Sequence, residues 1–253
     1  MKFIRPTVGM EYFRVRGTGD SRLEALSDGV FALAIAMLLV STSVPTNFAE
    51  LQRFVSDIVP FGICSVFLFW IWREHVRFFQ RYGLTEDQRV MRLSFALTML
   101  VPFFIYALKF LMGWLVGMTV GLVKLALGHP PAPIFTPLME QVPMREVPVL
   151  MMIYSLGFLS IFTLFYVMYR HAMRHADELA LSQQERFETL HTQRQHLLLI
   201  GTAACSILIA FVGYLTAWPW ASFIAGFIYN GIAVGSVWLG KWRLRELAKM
   251  GGN

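Results

Sequence analysis

Six apolar stretches, each about long enough to cross a bilayer, fill more than half of this 253-residue chain. A spanning helix needs about 20 predominantly apolar residues. The runs at about 24–44, 58–79, 93–117, 148–169, 197–217 and 219–240 meet that requirement. In lipid every backbone N–H and C=O must be satisfied internally, and runs of this length do so as helices. The expected fold is an all-α integral membrane protein with six transmembrane helices, read as one six-helix domain over 1–253. Charged residues make up only 15% of the chain, against about 25% in soluble domains, and the mean hydropathy is +0.55. Too little sequence remains for a separate soluble domain. The opening stretch MKFIRPTVGMEYFRVRGTGD lacks an apolar core of signal-peptide length.

The net charge of +6 is unevenly placed. If six spans alternate, segments 1–22, 73–92, 170–196 and 241–253 share one side and hold 18 Lys and Arg residues. The other side holds Arg53, Lys124 and Arg145, and Lys109 lies within the third span. By the positive-inside rule, both termini are cytoplasmic. Topology and attraction to anionic membrane lipid explain the positive charge, so no nucleic-acid partner is expected.

The chain reads as a non-enzyme without a cofactor. No Ser/His/Asp or Cys/His arrangement, phosphate loop or paired carboxylate at membrane depth is present. His171 and His175 are one turn apart, but no third ligand accompanies them, so no metal site is expected and they read as a solvated face. His191 and His196 read as interfacial. Cys64 and Cys205 each lie in a span and read as small packing residues. FVGYLTA at 211–217 has part of a potassium-filter pattern, but it lies inside a span and lacks the preceding Thr and final Gly. Gly113/Gly117 and Gly231/Gly235 have the spacing of close helix packing.

Several loops are legible. Residues 45–57 form a short external connection. Pro102 should kink the third span unless neighbours satisfy the freed carbonyl. The 118–147 stretch carries five prolines and reads as an external loop. The charged, helix-permissive 170–196 segment can extend spans four and five beyond the lipid, and TAWPW turns between spans five and six.

The first span, RLEALSDGVFALAIAMLLVSTSVP, poses the functional question. Asp28 sits one to two turns inside the cytoplasmic boundary, and an ionisable group within a span is a functional hypothesis by default, the alternative being an ordinary interfacial ion pair with a nearby arginine. The second span returns antiparallel, bringing Trp72 and His75 to the same depth. Arg22, Ser27, Asp28, His75 and Trp72 are expected to form a polar cluster joining the two helices. At 100° per residue, Leu26, Leu33, Met37 and Val40 form a separate apolar stripe, with Leu33 about 140° from Asp28. Such a stripe is ordinarily a packing face. Lys109 is expected to snorkel to the outer surface, a buried partner being the alternative.

Arg22, Ser27 and Asp28 match the Arg-x-x-x-Phe-Ser-Asp motif of the transmembrane-protein-175 family, which the chain resembles, with Leu26 in place of the Phe. Trp72 and His75 match the Trp-x-x-His of that family's second helix, and Pro102 its mid-span proline. These are lysosomal and bacterial potassium channels. The resemblance implies a homotetramer in a bacterial plasma membrane, with its pore lined by the first helix of each subunit and permeable to potassium and other monovalent cations. It places a hydrophobic constriction at Leu33, Met37 and Val40 instead of a carbonyl-lined filter. Ala36 stands where the family commonly has a threonine, which leaves Ser41, Thr42 and Ser43, near the outer end, as the candidates for contacts with a hydrated ion. Two other readings remain open: a proton-coupled secondary transporter using Asp28 and His75, and a non-transporting membrane scaffold.

Overall fold

The computed structural model describes residues 13–17, 21–40, 44–129, 142–218 and 220–251. Its regular elements are all helical: α1 (Arg22–Val40), α2 (Phe48–Ser56), α3 (Ile58–Tyr82), α4 (Gln88–Ala126), α5 (Val147–Arg174), α6 (Gln183–Thr216), α7 (Trp220–Phe227) and α8 (Gly231–Gly251). A 3-10 turn at Ile228–Asn230 joins the last two. Among the described residues, six stretches are long and apolar enough to cross a membrane: α1, α2–α3 together, α4, α5, α6 and the broken helix from Ala221 to Lys249. The protein is a multi-pass membrane protein of the expected all-helical class.

The helix ends follow local chemistry. Ser21 caps α1 by accepting from the Glu24 backbone N–H at 3.1 Å. Asp87 caps α4 by accepting from the Arg89 and Val90 N–H groups. Ser182 and Glu185 form a capping box at the start of α6. Because of that cap, α6 begins well before the lipid-spanning stretch, and α5 runs on to Arg174, so both helices extend as the sequence predicts.

Three boundaries depart from expectation. The 45–57 connection contains α2, whose Phe48, Leu51 and Val55 fall at helical spacing and are exposed. The helix α4 runs 39 residues and passes through Pro102. It takes in the first part of the 118–147 stretch, because the five prolines there all lie at or beyond Pro130. At 1.5 Å per residue, its length is about 58 Å, nearly twice the hydrocarbon thickness. The last span is interrupted where the Asn230 amide donates to the Phe227 carbonyl at 3.0 Å.

In the interior α1 lies against α4 and α3, and α5 pairs extensively with α6. Phe78, Phe79, Tyr82, Phe162, Phe165 and Tyr169 are fully buried. Gly157 lets the Phe104 ring pass so close that a Cβ would lie 2.2 Å from it. Of the small-residue pairs read from sequence, Gly235 packs tightly on Leu198, whereas Gly113 and Gly231 meet open space. Cys64 is buried, but Cys205 is exposed in the single chain, so only the first is a packing residue within the subunit.

Candidate functional site

The helix α1 buries Glu24, Ser27, Phe31, Ala34 and Leu38. Their alternating spacings of three and four residues make one narrow seam. Nearly everything else on the helix is exposed in the isolated subunit, including Leu33 at 58%, Met37 at 41% and Val40 at 79%. The apolar stripe read from the sequence is thus unburied within the chain. Ser41, Thr42 and Ser43 lie outside the described residues.

Depth matching pairs α1 with α3 at one point. The Trp72 indole N–H donates to Asp28 Oδ1 at 2.7 Å. The rest of the expected cluster is distributed differently. Ser27 is buried and donates to its own helix, to the Leu23 carbonyl. His75 is 1% exposed and shares a 2.8 Å hydrogen bond with Ser94 of α4. It reaches α1 only through its ring, 5.8 Å from that of Phe31. Arg22 stands at the helix start, outside the buried seam. Asp28 and His75 therefore serve different bonds, one to α3 and the other to α4. The Asp28–Trp72 bond is expected to couple the two helices by about 1 kcal/mol. A double-mutant cycle of Asp28→Ala and Trp72→Phe, read by thermal unfolding in detergent, checks this; strictly additive effects would show no coupling.

Lys109 does not need the outer surface. Its ammonium donates to the Leu38 carbonyl at 3.0 Å. That carbonyl is in the last turn of α1, where helical acceptors lack intrahelical donors and a cation is favoured. A lysine in the third span thus caps the end of the first.

Residues 13–17, ahead of α1, are tied to other helices as well. Phe13 packs edge-on against Tyr82 and lies under the Arg81 guanidinium. Arg16 hydrogen-bonds through its backbone to the Gln80 carbonyl at 2.9 Å. Its guanidinium grips both Glu185 oxygens at 2.8 Å, a bidentate pair. The segment just ahead of α1 is thereby joined to α3 and α6.

Beside this strap lies a buried polar cluster that sequence reasoning missed. Glu74, 6% exposed, accepts from Arg77 at 2.8 Å and from the Tyr169 hydroxyl at 2.7 Å, with His196 at 3.8 Å. Arg81 donates to Thr192, Tyr82 bonds Thr189, and Arg243 donates to buried Glu188 at 2.6 Å. His191 and His196 are buried within the bundle instead of interfacial. His171 is not a solvated residue either: it is 6% exposed and bonds Asp87 at 3.1 Å. Burial pushes the Asp87 carboxyl up, but the N–H groups of Val90 and Arg89 and the His171 ring outweigh that and hold it below its usual value. The available signal was Glu74 itself, a lone acid in WREHVRFF, which reads as an ordinary interfacial belt.

A bundle of bilayer-length helices whose first member is bonded to two neighbours, yet leaves an apolar flank bare, belongs to the class of multi-pass membrane proteins. Similarity to known proteins narrows this. The family model for the endosomal/lysosomal potassium channel TMEM175 matches residues 22–112, the stretch that carries Asp28, Trp72 and Lys109. A potassium channel of Marivirga tractuosa is 30% identical over 236 residues, covering 90% of each chain. A crystal structure of a variant of the potassium channel MtTMEM175, in complex with a nanobody–MBP fusion protein, is 28% identical. It superposes with a TM-score of 0.79 over 93% of this chain and 98% of that one. The chain belongs to the TMEM175 family of potassium channels, a family of channels and not of enzymes.

Proposed function

We propose that this chain, acting over its whole length as one six-helix domain, is the subunit of a homotetrameric potassium channel in a bacterial plasma membrane, with both termini cytoplasmic. The single observation that carries the pore assignment is the bare apolar flank of α1. Leu33, Met37 and Val40 are exposed on a helix that other contacts hold in place. Large apolar patches left open on a subunit mark interaction surfaces or grooves. Four such flanks around one axis make a hydrophobic constriction, which gates by dewetting and not by carbonyl coordination. Ser41 and Thr42, next along the chain after Val40, are the polar residues proposed to contact a hydrated ion. The 18-to-3 charge asymmetry supports the orientation. The relatives named as potassium channels support potassium as the permeant.

A flux measurement in proteoliposomes tests this reading. With a potassium gradient and a pH-sensitive dye inside, potassium should run down its gradient without stoichiometric proton movement. A fixed proton-to-potassium ratio would instead establish a carrier, and absence of flux would leave a scaffold. Separation of Asp28 from His75 into different hydrogen bonds favours the channel.

A further inference from the structure

A cavity of about 460 Å³ lies between α3, α4, α5 and α7, away from the exposed flank of α1. We propose that it is a binding site for one ester-linked acyl chain of a membrane glycerolipid. Its volume falls in the range of about 300–1,000 Å³ typical of ligand sites. The walls are almost entirely apolar, among them Phe67, Leu108, Leu111 and Met151, and no charged side chain lines it among the described residues. Water is a poor occupant, since a stable buried water needs about two to four polar partners. An empty void of this size would forfeit the dispersion contacts of its whole lining. At this level of the bundle the surrounding medium is acyl chain.

Among the described residues that line it, one buried hydroxyl is left for the ligand. Ser155, Tyr229 and Ser206 are already satisfied: Tyr229 donates to Ser155, Ser155 to Ser206, and Ser206 to the Ala225 carbonyl, each at 2.9 Å. Ser222 also lines the cavity and is 3% exposed, yet its hydroxyl has no hydrogen-bond partner. It stands in the first turn of α7. Rotation about Cα–Cβ lets it donate to a carbonyl oxygen seated beside it. An ester carbonyl meets that requirement. A free fatty acid does not, because its ionised carboxylate would be buried without a cation.

The test uses the full-length protein in vesicles doped either with a phosphatidylcholine carrying a diazirine on one acyl chain or with the free diazirine fatty acid. Crosslinked positions are read by peptide mass spectrometry. The phospholipid probe should label the cavity walls of α4, α5 and α7, and the free acid should label them weakly. Gly226 lines the cavity, and a Cβ there meets only the Met151 sulfur at 3.9 Å. Gly226→Leu should therefore fill the space and cut cavity labelling by about fivefold or more, with labelling of other lipid-facing residues unchanged as internal control. The nearly isosteric Ser222→Ala should lower labelling by about two- to tenfold, the worth of one hydrogen bond. Absence of cavity labelling in the parent, equal labelling in Gly226→Leu, or equal labelling by the free acid would overturn the assignment.

Discussion

Leu33→Asn and Met37→Asn should each raise cation flux through reconstituted protein, or blunt its preference for potassium over sodium, by about tenfold, equivalent to about 1.4 kcal/mol off the permeation barrier. The reasoning starts from exposure. Leu33 and Met37 contribute little to the packing of their own subunit, being 58% and 41% exposed, so an amide there leaves the subunit fold largely undisturbed. If their flank rings a shared axis, the amide replaces a dry surface with a wetted one, and a dewetting barrier falls with the polarity of its narrowest ring. Potassium and sodium fluxes from opposed gradients measure both effects. Unchanged flux and unchanged ion preference in both variants would remove the pore from this face. Ile35 and Leu39, exposed on other flanks of α1, provide the control: the same amide there should leave permeation unaltered.

Glu74→Ala should be the most destabilising single change, by about 3–5 kcal/mol, because deleting one member of a buried ionic cluster strands the others. Arg77 and the Tyr169 hydroxyl would both lose their acceptor, and His196 would lose its neighbouring carboxylate. For a chain of this size each kcal/mol moves the thermal midpoint by about 2–4 °C, so a drop of about 6–20 °C in detergent is expected. A midpoint within about 2 °C of the parent would mean that water or rearranged side chains substitute freely for the carboxylate. Glu50, on α2 and bonded to Thr46 at the surface, should be nearly neutral on the same assay.

The spans were legible because lipid imposes one requirement on every residue of a run, and that requirement shows in hydropathy alone. Trp72 and Asp28 were legible for a related reason: consecutive spans cross the bilayer antiparallel, so their inner ends lie at one depth. His75 was placed at the right depth, but its hydrogen bond goes to Ser94 of α4, which a two-helix argument omits. Lys109 shows the same limitation, since its acceptor is a backbone carbonyl and leaves no side-chain signature. The cluster around Glu74 was invisible because its members come from α3, α5, α6 and α8, each of which looks like a solvated helix end by itself. The apolar flank of α1 could be drawn from periodicity, but only family resemblance distinguished a pore face from a packing face. Where α4 ends was misjudged because proline content was averaged over a stretch whose first part has none.

The three ties on α1 have a mechanical consequence. Arg16 fastens the chain ahead of it to α6, Trp72 holds its flank to α3, and Lys109 hooks its far end to α4. A rod clamped in that way has no freedom to travel as a piston. It must lean when its neighbours lean, like a blade in a camera iris, so if α1 lines a pore as proposed, the aperture follows the tilt of the whole α1–α3–α4 wedge.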